Sequence, residues 1–303
     1  MKKQLFILAG ILSCLFSFAQ IVNIPDANFK AYLVGNPAIN TNGDNEIQVS
    51  EASSFTGEID CSNKNIADLR GIEVFVSLTG LDCENNKINA LDVSENINLI
   101  TLNCGQNNIS SLDITNNINL ETLICANNNL TTLDFNLNYD PKPKLKYLDC
   151  SYNKLTSIHL DDRSYELEYL NCSSNIITSI NIYYIFPSKL KTLFCNENKL
   201  TDLNTMNAIA LQKLNCSFNQ LESLIIHWNN IEWVYCNDNQ LEWFIDRYNN
   251  YPTLTRFVGH NNKFKSLDFS YSPNVSLINV ENNQLTSLNV KNGNNINFLG
   301  DGY

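Results

Sequence analysis

Apolar and polar positions repeat along most of the chain with a period near 21 residues. The repeat is cleanest in LITLNCGQNNISSLDITNNIN, residues 99–119, which reads L-x-x-L-x-C-x-x-N-x-L-x-x-L-D-x-[ST]. Apolar residues alternate within it, as at Leu102 and Cys104, which predicts a short strand with both side chains pointing inward. The cysteine position of the repeat is occupied by Cys61, Cys83, Cys104, Cys125, Cys150, Cys172, Cys195, Cys216 and Cys236. In the last coils the same position is occupied by Gly259 and Val280.

This template is the signature of the leucine-rich repeat, L-x-x-L-x-L-x-x-N-x-L, with cysteine at the last strand position. Eleven segments fit it, so we expect a leucine-rich-repeat solenoid of about eleven parallel-stranded β-coils with little helix. The second half of each coil, such as LDIT (112–115), alternates again and predicts extended segments on both sides. Residues 58–298 form this predicted solenoid.

An asparagine stands three positions after the cysteine, as Asn107 does after Cys104. It marks the point where the strand turns the corner. A buried, unpaired backbone group costs about 1–3 kcal/mol, and a stacked asparagine amide can both donate to and accept from such groups. We therefore assign this column a structural role. Its other members are Asn86, Asn128, Asn153, Asn175, Asn198, Asn219, Asn239, Asn262 and Asn283.

The cysteine column is predicted to consist of buried free thiols that act as small apolar side chains. Side chains on neighbouring parallel strands point the same way, about 4.8 Å apart, whereas a disulfide prefers Cβ atoms about 3.5–4.5 Å apart. A column one residue wide also lacks the convergence that a metal site needs. One or two disulfides, or a bound metal, are the less favoured alternatives.

Both ends of the chain differ from the coils. Residues 1–19 carry Lys2 and Lys3 before an apolar run, which predicts a secretory signal peptide cleaved before Gln20. A lipoprotein signal that uses Cys14 is the alternative. Residues 20–57 are predicted to form a helical cap, with Asp26 at the start of its first helix. At the other end, residues 299–303 begin a further coil, so we expect either a truncated chain or an end completed by a partner.

The cap contains NTNGDNEIQVSE, residues 40–51, which aligns with the calcium loop of an EF-hand. Asn40 stands where that loop usually has aspartate, and Asn45 stands where it has glycine. A site with this little charge predicts millimolar affinity for Ca²⁺. The alternative is an Asn/Gly turn that leads into a helix at Ser50. The candidate ligands of the calcium site are Asn40, Asn42, Asp44, Glu46, Gln48 and Glu51.

Charge narrows the classes of partner. The net charge is −11; removing residues 1–19 takes away two lysines and leaves 18 basic and 31 acidic side chains, or −13. An acidic chain is a poor candidate for binding nucleic acid or anionic membranes. No further apolar run is long enough to span a bilayer. His159, His227 and His260 fall in different coils and form no recognisable catalytic spacing. We therefore expect a protein that is not an enzyme and requires no cofactor.

Aromatic residues gather at the strand positions predicted to point outward. Trp and Tyr at such positions are typical anchors of protein interfaces and also stack on sugar rings. The alternative is that aromatics simply suit strands and cover neighbouring coils, in a passive structural or spacer protein. The candidate ligand-binding residues are Trp233, Tyr235, Trp228, Trp243, Tyr147, Tyr169 and Phe194.

From residue 20 to about 298 the chain resembles secreted leucine-rich-repeat proteins of Gram-negative bacteria, which are distantly similar to internalins. The resemblance rests on the signal segment, on IPDANFKAYLV with NTNGDNEIQVSEA, and on the repeated LxCxxNxLxxLDxS. It implies binding or adhesion of a protein or glycan rather than catalysis, and a secreted or outer-surface location. Members often carry a C-terminal tail for type IX secretion. That tail is missing from this sequence, which keeps the periplasm as an alternative.

Overall fold

A computed structural model shows a parallel β-solenoid with a small helical cap at its N-terminal end. The predicted leader and the predicted further coil lie outside the described residues. The structure describes residues 20–133, 144–159, 166–182, 188–243 and 251–293.

Short parallel strands, mostly of three residues, build the coils. In chain order they are β1 (Glu58–Asp60), β2 (Gly80–Asp82), β3 (Thr101–Asn103), β4 (Thr122–Ile124), β5 (Tyr147–Asp149), β6 (Ser157–His159), β7 (Tyr169–Asn171), β8 (Ser179–Asn181), β9 (Thr192–Phe194), β10 (Asp202–Thr205), β11 (Lys213–Asn215), β12 (Ser223–Ile226), β13 (Trp233–Tyr235), β14 (Arg256–Val258), β15 (Ser266–Asp268), β16 (Leu277–Asn279) and β17 (Ser287–Asn289).

Eleven of these strands form one large sheet in the order β1-β2-β3-β4-β5-β7-β9-β11-β13-β14-β16. The register follows the sequence template, so that Leu81, Leu102 and Leu123 are direct partners on neighbouring strands. These central leucines are buried, while the residues on either side of Leu102 and Leu123 are half-exposed. The predicted solenoid of about eleven parallel-stranded coils with little helix is confirmed.

The second side of the coil is less regular. Hydrogen-bonded strands form there as the pairs β6–β8, β10–β12 and β15–β17. In the earlier coils Asp92 accepts the Ser94 N–H at 3.0 Å, and Asp113 accepts the Thr115 N–H at 2.9 Å. The same turn also occurs in a paired strand, since Asp268 of β15 accepts the Ser270 N–H at 2.8 Å. The extended segments predicted for this side pair as strands only in some of the described coils.

All nine cysteines of the column are buried and unpaired, as predicted. Burial raises the pKa of Cys104 and of Cys216 to about 12, so these thiols stay protonated. The column ends at Gly259 for a steric reason. A Cβ atom at that position would lie 2.6 Å from Cε1 of Phe257, whose ring replaces the usual leucine.

The predicted asparagine ladder is confirmed. The Asn107 amide donates to the carbonyls of Cys83 (3.0 Å) and Cys104 (3.2 Å), and its oxygen accepts the Ile88 N–H (3.0 Å). Each such residue therefore connects two coils at the corner. The same three-way pattern recurs at Asn128, Asn153, Asn175, Asn198, Asn219, Asn239, Asn262 and Asn283.

The cap consists of α1 (Ala27–Val34) and α2 (Val49–Ser54). Asp26 begins α1 as predicted: one carboxylate oxygen accepts the N–H groups of Asn28 and Phe29 at 2.9 and 3.0 Å. Its other oxygen accepts the Ala67 N–H at 2.8 Å, which fastens the cap to the first coil. The apolar side of α1 is fully buried there, so the cap closes the N-terminal end of the core.

Candidate binding face of the large sheet

One side of the large sheet covers the core and the other points to solvent; we call the second side the sheet face. It is built from the first and third residues of each strand, because the second residue points into the core. Parallel, in-register pairing stacks these residues into two rows along the solenoid. The first row runs from Glu58 to Leu277, and the third row runs from Asp60 to Asn279.

Five of the predicted residues meet on this face in a continuous chain of rings, the aromatic strip. Tyr147 and Tyr169 are direct register partners and stack with ring centroids 4.2 Å apart and planes 3° apart. Phe194 follows in the third row of β9, edge-on to Tyr169 at 5.8 Å. Trp233 lies 5.6 Å from Phe194 across β11, and it contacts Tyr235 of its own strand at 4.8 Å.

The five residues of the strip are half-buried. Burial raises the pKa of Tyr169 well above its usual value, and its hydrogen bond with Tyr147 raises it further. Parallel rings on adjacent strands cover each other's faces and leave their edges toward solvent. The strip therefore offers an apolar ridge with hydroxyl groups rather than open ring faces.

The other two predicted residues do not join the strip. Trp228 is 5% exposed, because a 3₁₀ turn at Trp228–Asn230 directs it inward, and its ring packs at 4.3 Å from that of Tyr251. Its assignment to a ligand-binding surface is corrected: Trp228 belongs to the core. Trp243 is 55% exposed but lies after the corner at Asn239, past the end of β13.

The sheet face is electrically divided, a feature that the sequence analysis missed. On β1 to β5 the two rows carry the carboxylates Glu58, Asp60, Asp82 and Asp149 and no cation. On β7 to β16 they carry Lys213 and Arg256 and no carboxylate. The register of the repeat contains this information, since each row can be read directly from the aligned coils.

Ion pairs line the row just before the strands. Lys146 lies 2.7 Å from Glu121, and Lys191 lies 2.6 Å from Glu168. Exposed pairs of this kind stabilise a fold by about 0–1 kcal/mol each. Their effect on the face is to neutralise these lysines. Lys213 and Arg256 differ, because neither has a carboxylate within 4.0 Å among the described residues.

The predicted calcium loop is closed by its own hydrogen bonds. Glu51 is 8% exposed, and its Oε1 accepts the N–H groups of Thr41 (2.7 Å) and Asn42 (3.1 Å), while Oε2 accepts that of Gln48 (3.0 Å). Burial raises the pKa of Glu51, but the hydrogen bonds outweigh it and hold the pKa below its usual value. The carboxylate is thus satisfied without a cation.

The remaining candidate ligands divide among other partners. Asp44 accepts from the Asn42 and Gln48 amides, both at 2.9 Å, and Glu46 forms an ion pair with Lys30 at 2.6 Å. The Asn40 amide donates to the carbonyl of Asp44 at 2.8 Å. Within the described ranges, no group of three or more His, Cys, Asp or Glu side chains is placed to hold a metal ion. Calcium binding stays a prediction.

Comparisons with known proteins place this architecture. Residues 46–153 match the family model of the leucine-rich-repeat domain of the endo-beta-N-acetylglucosaminidase EndoS. Internalin J of Listeria monocytogenes serotype 4b (strain F2365) is 36% identical over 72 residues, 24% of this chain. The match spans 8% of that relative's length.

Two solved structures from Listeria monocytogenes share the fold. The functional domain of InlJ, which includes a cysteine ladder, aligns with a TM-score of 0.66 and 26% identity over 90% of this chain and 71% of that chain. The internalin InlF aligns with a TM-score of 0.52 and 20% identity over 90% and 98%, a likeness of fold alone. Fold, repeat and relatives define a leucine-rich-repeat protein. More narrowly, the chain is similar to internalins of Listeria monocytogenes.

None of the helices in the described part of the chain combines the length and the apolar character needed to cross a membrane.

Proposed function

We propose that the protein is a secreted or surface-exposed recognition module that holds a protein ligand on the sheet face, over the aromatic strip. The observation that carries this proposal is the unbroken contact of five aromatic rings, Tyr147 to Tyr235, across the middle of the large sheet. Repeat proteins commonly bind through such an extended face. Clustered Tyr and Trp are typical of the residues that dominate binding energy.

The geometry of the rings favours a protein over a glycan. A sugar ring stacks on an open aromatic face, whereas Tyr147 and Tyr169 cover each other at 4.2 Å. Ring edges and hydroxyl groups suit the mixed apolar and polar surface of a protein partner, with the strip at the centre of the contact. Polysaccharides are therefore the competing ligand in the test below.

Location and chemistry complete the proposal. The apolar leader and the similarity to internalins support export of the chain. The buried thiols support binding without catalysis, since a pKa near 12 keeps Cys104 from acting as a nucleophile. Recognition of another cell, a host surface or the surrounding matrix is the class of function that these features suit.

The test is affinity capture with the chain that begins at Gln20, against surface-protein extracts and a polysaccharide panel. The strip variant Trp233→Ala, Tyr235→Ala is compared with a matched control, Trp243→Ala, Tyr271→Ala, which removes two exposed aromatics (55% and 63%) away from the strip. We expect a protein held by the wild type and the control, and lost by the strip variant.

Three results contradict the proposal. Equal capture by the strip variant and the wild type would place binding elsewhere. A strip variant whose melting temperature falls sharply would mark the rings as scaffold, in agreement with a passive spacer protein. Capture of a polysaccharide, but no protein, would assign the face to glycans.

A further inference from the structure

The charge division of the sheet face identifies the kind of partner that fits its C-terminal half. The chain has a net charge of −11, yet the two outward rows from β7 to β16 carry two cations and no carboxylate. None of these twelve outward positions holds an acidic side chain. On β1 to β5, the same rows carry four carboxylates and no cation.

The two cations are placed around the tryptophan of the strip. Lys213 on β11 and Arg256 on β14 are the direct register partners of Trp233 on β13, one on each side. Neighbouring strands lie about 4.8 Å apart, so the two charges start from backbone positions about 10 Å apart with the indole between them. Lys213 is half-buried and Arg256 is exposed.

These cations are also unpaired, unlike the lysines that flank the neighbouring strands. Lys146 and Lys191 each reach a glutamate one coil away, at 2.7 and 2.6 Å. Glu232 directly precedes Trp233 at the start of β13, but it forms no ion pair with Lys213 or Arg256. Unpaired cations beside an aromatic ridge leave positive potential that a ligand can neutralise.

We infer that this half of the face binds an acidic segment of a protein partner, with Asp or Glu carboxylates at Lys213 and Arg256 and an apolar side chain against Trp233. The inference rests on the proposed function, because it assigns the ligand chemistry of the same face. Arginine presents a planar fork of donors that matches a carboxylate, and lysine supplies a second point charge. The acidic half of the face, β1 to β5, repels such a segment and fixes its direction along the solenoid.

A peptide is favoured over an acidic polysaccharide for the reason already given for the rings. Uronate chains supply carboxylates but need open aromatic faces for their sugar rings, and Tyr147 and Tyr169 cover each other at 4.2 Å. An extended peptide presents every second side chain to the face, about 6.6 Å apart, so an Asp, Leu, Asp series at alternate positions can meet Lys213, Trp233 and Arg256.

The experiment measures binding of labelled short peptides by fluorescence anisotropy. One peptide carries the sequence Asp-Ser-Leu-Ser-Asp, so that its aspartates and leucine share one side of the extended chain, a second replaces each aspartate by asparagine, and an oligouronate is the third probe. They are titrated with the wild type and with Lys213→Gln, Arg256→Gln. The control, Lys154→Gln, Lys199→Gln, removes two exposed lysines at the corner side that also lack an ion pair.

We expect the aspartate peptide to bind the wild type and the control alike, and the Lys213, Arg256 variant at least about tenfold more weakly. The asparagine peptide should bind weakly to all three. Raising the salt from about 0.1 M to about 1 M should weaken the aspartate peptide, because screening shortens the reach of the two charges.

The inference is overturned by an aspartate peptide that fails to bind the wild type, by equal losses in the variant and the control, or by preference for the oligouronate. Failure of the inference and failure of the proposed function are distinguishable in the capture assay. A natural ligand that needs Trp233 and Tyr235 but tolerates Lys213→Gln, Arg256→Gln keeps the recognition face and rejects the acidic partner.

Discussion

The ring of Phe257 occupies the space in which the side chain of residue 259 would otherwise stand. A Cβ atom at Gly259 would lie 2.6 Å from the Cε1 atom of Phe257 and 3.1 Å from Phe264. In most preceding coils this pair of positions is Leu and Cys, as in Leu214 and Cys216. The larger ring and the missing side chain therefore compensate each other within one coil.

This relationship predicts strong coupling between the two positions. Gly259→Cys alone should destabilise the fold by about 1–3 kcal/mol through overpacking. Phe257→Leu alone should cost about 1–3 kcal/mol through the space that it leaves. The double variant restores the Leu–Cys pair, so its free energy of unfolding should fall by less than the sum of the two single losses. Urea unfolding of the four proteins measures the coupling, and strictly additive losses would refute compensation.

The asparagine ladder predicts a large difference between two adjacent residues. Asn107 is 8% exposed and its side chain bonds four backbone groups, while Asn108 is exposed and has no side-chain hydrogen bond among those of the described residues. Asn107→Ala should lower the free energy of unfolding by about 2–4 kcal/mol, because it leaves several buried backbone groups without a hydrogen-bond partner. Asn108→Ala should change the free energy of unfolding by less than about 0.5 kcal/mol. Similar values for the two variants would contradict the structural role of the column.

The buried thiols predict a loss of stability at alkaline pH. An unfolded thiol titrates near pH 8.5, whereas burial raises the folded pKa of Cys104 and Cys216 to about 12. Their stabilising contribution is complete below about pH 8.5. Above it the unfolded chain releases thiol protons that the folded chain retains, so stability falls as the pH rises toward 12, by up to about 1.4 kcal/mol per pH unit for each thiol.

Urea unfolding between about pH 8 and pH 10 measures this slope. A variant with Cys104→Val and Cys216→Val, the residue that Val280 already supplies at the same position, should show a shallower slope. An identical slope in the wild type and the variant would show that other groups control the alkaline transition.

The two alternatives for the cap loop, a calcium site and a plain turn, predict different responses to Ca²⁺. Glu51 accepts hydrogen bonds on both carboxylate oxygens, so a plain turn predicts the same melting temperature in millimolar Ca²⁺ and in excess chelator. A rise with Ca²⁺ that disappears in Asp44→Asn would instead establish the calcium site. The lowered pKa of Glu51 makes its contribution complete above about pH 4.3, and this contribution is lost as the pH falls through the folded value. Glu51→Gln should flatten that acid limb.

Much of the architecture is predictable because every coil carries the same sequence pattern. The solenoid is specified by the period, the inward Leu and Cys, and the Asn at the corner. Asp26 marks the start of the first helix of the cap. The aromatic strip is predictable for the same reason, since strand alternation assigns Tyr147, Tyr169 and Trp233 to the outward side.

What the pattern did not predict depends on local departures from the repeat. Trp228 turns inward because a 3₁₀ turn and the ring of Tyr251 take it into the core, and both lie in an irregular coil. The second-side segments pair as strands only in some coils, and the turn at Asp92 does not explain this, because Asp268 makes the same turn within the paired strand β15. The division of charge was readable from the rows, but only once the coils were aligned position by position.

The most direct test of the central claim is the dissociation constant of the captured protein for the wild type and for Trp233→Ala, Tyr235→Ala, with Trp243→Ala, Tyr271→Ala as the control. Our account predicts that the strip variant binds at least about 30-fold more weakly while keeping its melting temperature, and that the control binds like the wild type. Equal affinities for all three proteins, or equal losses in both variants, would contradict a recognition site on the aromatic strip.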